Sequence, residues 1–315
     1  MTRHFLSVAD LTPQLGRELL ELAHRIKSRP DDYRETLKGQ TLGMIFQKSS
    51  TRTRVSFEVG MVQLGGHALF LSSRDIQIGR GEPISDTAQV LSRYVDGIMA
   101  RVFGHDILED LAQYASIPVI NGLSDLLHPC QTMADALTLV EKWSPAGNFD
   151  VSCLRGRTLA YVGDGNNMAH SLLMTGALFG MNVTIVAPRG YWPDVAVMDQ
   201  ARALAKDSGA QLLVSDDPVS GVVGADCVYT DVWASMGQEE QAAQRLKDFE
   251  GFEVDSAMMG RANPGALFMH CLPAHRGEEV SAEVCDGPNS VIFDEAENRL
   301  HAQKAIMVHL MQKSS

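Results

Sequence analysis

The stretch TLGMIFQKSSTRTRVSFEVGMVQLGG, Thr41 to Gly66, decides the fold. Thr41 to Phe46 is a short apolar run, the mark of a strand buried on both faces. Val55 onward reads as a helix that ends at Gly65-Gly66. Between them, Ser50-Thr51-Arg52-Thr53-Arg54 packs hydroxyls and two arginines into a strand-to-helix turn. A helix start carries unpaired backbone N–H groups and a partial positive charge. Hydroxyl donors and guanidinium forks added there make a phosphate or carboxylate site. No GxxxxGK[ST] pattern is present, so the turn is not a Walker loop.

Working outward, the same alternation recurs. Thr12-Pro13 caps a helix whose apolar face is Leu15, Leu19, Leu22 and Ile26. Asp86–Val95 reads as helix, Gly97–Val102 as strand, Asp106–Ala115 as helix and Ile117–Leu123 as strand. Asp125–Trp143 starts as a loop and becomes a helix. After a mixed stretch, Ser144–Arg157, strand Thr158–Asp164, helix Met168–Gly180, strand Asn182–Pro188 and helix Asp194–Gly209 follow. Strands near Gln211–Ser215 and Ala225–Asp231 come next, then Ala266–Pro273 and Ser290–Ala296. The end of the chain reads as an amphipathic helix packing back on the first domain. Such alternation predicts an α/β fold of mainly parallel sheets with helices on both faces. At 315 residues the chain exceeds one ordinary core. We therefore expect two domains, 1–145 and 150–297, with helix 298–315 returning to the first. Ligands of such folds sit beyond the carboxyl ends of the strands.

Composition narrows the function. A net charge of -12 opposes nucleic-acid binding, and no apolar run is long enough to cross a bilayer. The start turns polar too early for a signal peptide. Five scattered cysteines without a CxxC pair fit a reducing cytoplasm better than a disulfide framework.

The loops at the strand ends carry the chemistry. Arg101 ends an apolar strand, either aimed into a cleft or held in a surface ion pair. In HPCQ, His128 can donate to a carbonyl oxygen and Gln131 can accept from an amide NH₂; a satisfied loop histidine is the plainer alternative. The turn YVGDGNNMAH resembles a dinucleotide fingerprint, but Met168 stands where the third glycine belongs. The second strand ends in VAPRG with no acidic residue, so a nicotinamide dehydrogenase is the weaker reading. Asn166 and Asn167 suit the amino-acid end of a substrate instead. Asp231 in TDVWASMG and Cys271 in MHCLPAHRG place a carboxylate and a thiol where an amine could bind. An inert core cysteine is the commoner alternative for any single cysteine such as Cys271. Pro273 suits a tight, cis turn. Cys130, His128, His270, Cys271 and His275 match no familiar zinc spacing, so neither metal nor cofactor is expected.

Taken in order, SSTRTR, HPCQ, GDGNNM, DVWASMG, HCLP and FDEAENR resemble the aspartate/ornithine carbamoyltransferase family from Ser50 to Arg299. The resemblance implies two α/β domains, one for carbamoyl phosphate and one for the amino acid, with the active site in the cleft between them. It implies homo-oligomers, trimers or multiples of trimers, and a role in arginine metabolism, with biosynthesis expected. Ser50, Thr51, Arg52 and Thr53 would grip the phosphate. Arg101 and His128 would polarise the carbonyl, and Gln131 would hold the carbamoyl NH₂, with Pro129, Cys130 and Arg299 close by. Gln77 would reach in from a neighbouring subunit. Asn167, Asp231, Ser235, Met236, Cys271 and Leu272 would bind ornithine, the loops DVWASMG and HCLP favouring it over aspartate. Acetylornithine and putrescine, which share the reacting amine, stay open as acceptors. A non-catalytic amino-acid binder would not need donors around a carbonyl.

Overall fold

The computed structural model describes residues 4–73, 81–235, 237 and 239–313. Contacts divide the chain into two units, Met1–Leu137 with Glu297–Ser315, and Thr138–Ala296.

In the first unit, α1 (Pro13–Ser28) begins under the Thr12 cap, whose hydroxyl accepts from Leu15 N. Then come β1 (Thr41–Phe46), α2 (Thr51–Gln63), β2 (His67–Ser72), α3 (Ile84–Leu91), β3 (Gly97–Arg101), α4 (His105–Tyr114) and β4 (Val119–Leu123). Among the described residues these strands form one parallel sheet in the order β2-β1-β3-β4. Ile45, Ile98, Ala100, Leu108, Leu111 and Val119 are fully buried around it. Each such valine, leucine or isoleucine contributes roughly 1.5–3 kcal/mol by leaving water.

α5 (Pro129–Trp143) starts in the first unit and ends in the second. The second unit continues with β5 (Thr158–Val162), α6 (Asn167–Phe179), β6 (Asn182–Val186), α7 (Val195–Ser208), β7 (Leu212–Ser215) and β8 (Cys227–Thr230). α8 (Ala242–Asp248), α9 (Ser256–Met259), β9 (Leu267–His270) and α10 (Ala282–Cys285) follow. Among the described residues its strands run parallel in the order β7-β6-β5-β8-β9. α11 (Ile292–Met311) begins here and ends in the first unit.

Several details depart from the sequence reading. β2 was not anticipated: HALFLS is a half-exposed edge strand whose burial alternates weakly. The helix expected to Val95 stops at Leu91, where Ser92 caps it. Ile292 already belongs to α11, so the segment SVIFDEA is mostly helix start. The division between units falls within α5, before the Ser144–Arg157 stretch.

Sheet order locates the crevices. In the first sheet the winding reverses between β1 and β3, and in the second between β5 and β8. Loops leaving two adjacent strands in opposite directions open a gap at their carboxyl ends. Ser50–Arg54 follows β1 and Arg101 closes β3; Gly163–Asn167 follows β5 and Asp231–Ser235 follows β8.

Candidate active-site residues in two clusters

In the first unit, Ser50 is the N-cap of α2 and accepts from Thr53 N at 3.1 Å. Thr53 is turned inward and is 1% exposed. Register pairs Phe46 with Arg101, which brings the end of β3 beside the turn that follows β1. The β3–β4 register shifts between Ala100 and Arg101, an irregularity that re-aims a strand-end side chain. Arg101 is buried, and its Nη1 donates to Thr53 Oγ1 at 3.5 Å. Arg299, on α11, donates from Nη2 to the same oxygen at 3.2 Å and from Nη1 to Gln131 Oε1 at 2.6 Å. Gln131 in turn donates from Nε2 to Asp135 at 2.8 Å. With its amide oriented to satisfy both ends, Gln303 accepts from Arg299 Nη2 at 2.8 Å and Nε at 3.2 Å.

A hydroxyl has two lone pairs and one hydrogen. Both lone pairs of Thr53 face guanidinium groups, and its hydrogen is donated to none of the described residues. The hydroxyl is thereby left as a donor toward an acceptor brought from outside. Arg52 is half-buried, and Thr51 is exposed beside it.

His128 precedes Pro129, the first residue of α5, and is buried. Burial pushes its pKa well below the usual histidine range, and the guanidinium charges of Arg299, Arg101 and Arg52 push it further. Its imidazole is neutral at physiological pH, so one ring nitrogen carries a hydrogen to donate and the other a lone pair. Cys130 is the opposite case. Burial raises its thiol to about 12, and it donates to Asn121 O at 3.3 Å, a packing role.

The second cluster grows from the other sheet. Val162 and Thr230 pair in register, as do Thr230 and His270. The next residues, Gly163, Asp231 and Cys271, therefore leave the sheet side by side. Cys271 Sγ donates to Asp231 Oδ1 at 3.1 Å, and Val232 N donates to the same oxygen at 2.8 Å. Asn166 caps α6 by accepting from Met168 N at 2.9 Å and reaches Asp231 Oδ2 at 3.5 Å. The peptide bond Leu272–Pro273 is cis, with Leu272 at φ 58. His270 Nδ1 accepts from Leu272 N at 2.8 Å, so Nε2 carries the hydrogen it gives to Glu279 Oε1 at 3.1 Å. Burial, then the negative charge of Asp231 nearby, raises the Tyr161 hydroxyl well above its usual range. The cluster is thus anionic in character and suited to a cationic amine.

Ligand atoms of Asp231, His270 and Cys271 lie within 4.8 Å of one another, a spacing that would admit a metal ion. Both ring nitrogens of His270 are already engaged, however, so ligation would break one of those bonds.

Ser50, Thr51, Arg52, Thr53, Arg101, His128, Pro129, Cys130, Gln131 and Arg299 all belong to the first unit. Asn167, Asp231, Ser235, Cys271 and Leu272 belong to the second. Gln77 and Met236 lie outside the described residues. Arg54 takes no part in the buried cluster: it is exposed, pairs with Glu58 at 3.4 Å, and lies 3.9 Å from the Phe70 ring centroid. Lys48 was missed by sequence reasoning. It is buried next to the turn, paired with Asp125, with its ammonium 4.6 Å from the Phe103 ring centroid. A lysine so close to a buried strand was the available signal.

Two family models match the chain one after the other, and the second of them runs into α11, which contacts assign to the first unit from Glu297 onward. Residues 3–141 match the carbamoyl-P binding domain of aspartate/ornithine carbamoyltransferases, and residues 155–310 match their Asp/Orn binding domain. An ornithine carbamoyltransferase of Symbiobacterium thermophilum is 56% identical over 313 residues, covering 98% of each chain. The solved ornithine carbamoyltransferase of Pyrococcus furiosus superposes with a TM-score of 0.93 at 51% identity, covering 100% of this chain and 98% of its own. An anabolic ornithine carbamoyltransferase of Campylobacter jejuni gives a TM-score of 0.90 at 40% identity, with 98% of both chains covered.

Proposed function

The chain belongs to the aspartate/ornithine carbamoyltransferase family, and from that premise we propose that it transfers the carbamoyl group of carbamoyl phosphate to the δ-amine of L-ornithine, giving L-citrulline and phosphate. The observation that carries this reading is the buried ring of Thr53, Arg101, Arg299 and Gln131 beside a neutral His128.

Ser50, Thr51, Arg52 and Thr53 hold the phosphate of carbamoyl phosphate at the start of α2, with Gln77 contributed by a neighbouring subunit. Arg101 and His128 donate to the carbamoyl oxygen. A neutral imidazole does this without adding a fourth positive charge beside three arginines. Gln131 receives the carbamoyl NH₂ on Oε1. Arg299 fixes Gln131 and Thr53, and Pro129 and Cys130 shape the helix start.

In the second unit Asn167, Ser235 and Met236 hold the α-amino and carboxylate end of ornithine. Asp231, Cys271 and Leu272 surround its δ-amine. The bound ammonium first gives one proton to solvent; the neutral amine nitrogen then attacks the carbamoyl carbon, and negative charge grows on the carbonyl oxygen. Fixed hydrogen-bond donors aimed at such an oxygen each lower the barrier by about 3 kcal/mol, judged from their removal in other enzymes. The carbon–oxygen bond to phosphate then breaks, and the departing phosphate takes the proton lost by nitrogen. No protein nucleophile is required.

We place the enzyme in the biosynthetic direction, in the cytoplasm, as a trimer or a multiple of trimers. Supporting an assembly, Val55, Val59 and Val62 form an exposed apolar stripe on α2, and Leu69 and Phe70 of the adjoining edge strand are exposed as well. Incubation with carbamoyl phosphate and ornithine should yield citrulline and phosphate in equal amounts, ahead of acetylornithine, putrescine and aspartate as acceptors. Absence of citrulline would overturn the proposal.

A further inference from the structure

Arg245 lies on α8, outside every motif that marks the family resemblance, and is 7% exposed. A guanidinium is this deeply buried only when something pairs with it. Here one nitrogen, Nη1, serves two loops. It donates to Asp164 Oδ2 at 2.6 Å and to Trp233 O at 2.7 Å. Its carbon lies 5.0 Å from the Tyr191 ring centroid. Tyr191 in turn accepts from Gly165 N at 2.7 Å and donates from its hydroxyl to Asp248 at 2.7 Å. At Gly165 a Cβ would fall 2.4 Å from Pro193 N, so the loops after β5 and β6 are pressed together backbone to backbone. Trp233 is stacked on Phe249 with ring centroids 5.3 Å apart.

We propose that Arg245 is the positioning residue for the amino-acid acceptor, tying the carbonyl of Trp233 to the loop of Asp164 and so fixing the segment from Asp231 to Ser235. This rests on the function proposed above. Trp233 stands midway between Asp231 and Ser235, so a shift of its carbonyl moves both residues assigned to ornithine. The ion pair with Asp164 has a second effect. It neutralises the guanidinium, which is therefore not offered to a second substrate carboxylate. Asp231, which Arg245 does not engage, is left to meet the amine end. The same contact thereby orients the segment and favours a monocarboxylate acceptor.

The single change Arg245→Met would leave Asp164 buried beside no cation, and would test folding as much as positioning. The informative variant is Arg245→Met combined with Asp164→Asn, which removes both charges together. In the full chain, the KM for ornithine should rise about tenfold while the KM for carbamoyl phosphate stays within about twofold. Amide exchange over 232–235 should quicken by a similar factor, and that measurement needs no turnover. A folded double variant with unchanged exchange, or with faster exchange and an unchanged ornithine KM, overturns the proposal. Wild-type protein that forms no citrulline defeats the reading of function instead, while the exchange result still decides the tether.

Discussion

Thr53→Val isolates one oxygen atom. Valine keeps the shape of threonine and replaces the hydroxyl with a methyl. That hydroxyl accepts from Arg299 at 3.2 Å and from Arg101 at 3.5 Å. A hydrogen bond to a charged group contributes about 1.5–3 kcal/mol net, and one at the distance limit contributes little. The Arg299 bond is therefore valued at about 2 kcal/mol. Loss of donation to the bound phosphate adds about 1 kcal/mol. Together, about 3 kcal/mol of transition-state binding corresponds to a fall of roughly 150-fold in kcat/KM. The assay is steady-state citrulline formation with carbamoyl phosphate varied at saturating ornithine. Thr53→Ser restores the oxygen and should recover most of the rate, which separates the hydroxyl from the packing of its methyl. A Thr53→Val enzyme within twofold of wild type would refute the view that this hydroxyl organises the two guanidinium groups.

The two arginines of the opening turn should separate: Arg52→Ala abolishes carbamoyl phosphate binding measured by calorimetry, whereas Arg54→Ala leaves it unchanged and costs at most about 1 kcal/mol in stability, because its pairing with Glu58 is exposed. Cys271→Ser should lower kcat while carbamoyl phosphate affinity holds, since the thiol faces Asp231 in the second cluster; equal turnover in a rate assay would remove it from the mechanism. His128 gives a pH signature. Its folded pKa lies below the unfolded value of about 6.5, so the unfolded chain takes up that proton first, and stability present above about pH 6.5 drains away on acidification at up to about 1.4 kcal/mol per pH unit. Urea unfolding at pH 7.5 and 5.5 should show a smaller acid loss in His128→Gln than in wild type.

Periodicity and turn residues revealed most of the architecture, because buried parallel strands and capped helices leave local marks. The strand–turn–helix at Thr41–Gly66 is one instance, and the Thr12-Pro13 helix start is another. β2 escaped because an edge strand alternates weakly between buried and exposed positions. The approach of Cys271 to Asp231 was anticipated from their loops, yet the 3.1 Å contact follows from the register of three strands, which no local pattern encodes. Arg245 was invisible for a related reason. Its partners Asp164 and Trp233 lie 81 and 12 residues away, and α8 itself carries no motif. Arg54 was separable from Arg52 by its position one step further into the helix.

The last helix bears on how the protein is made. Arg299 closes the ring around Thr53 and Gln131, Lys304 donates to Gln63 at 2.9 Å, and a Cβ at Gly60 would meet Met307 at 2.9 Å. The unit that holds the SSTRTR turn thus lacks a wall until Arg299, 246 residues further along the chain than Thr53, has been made. Domains ordinarily fold in order of synthesis. Here the continuous second unit is complete before the first can finish, and the ring around Thr53 closes only afterwards. A nascent chain stalled before Glu297 carries the whole SSTRTR turn without the Arg299 guanidinium that holds Thr53, so the turn is ordered only after the second unit has been synthesised.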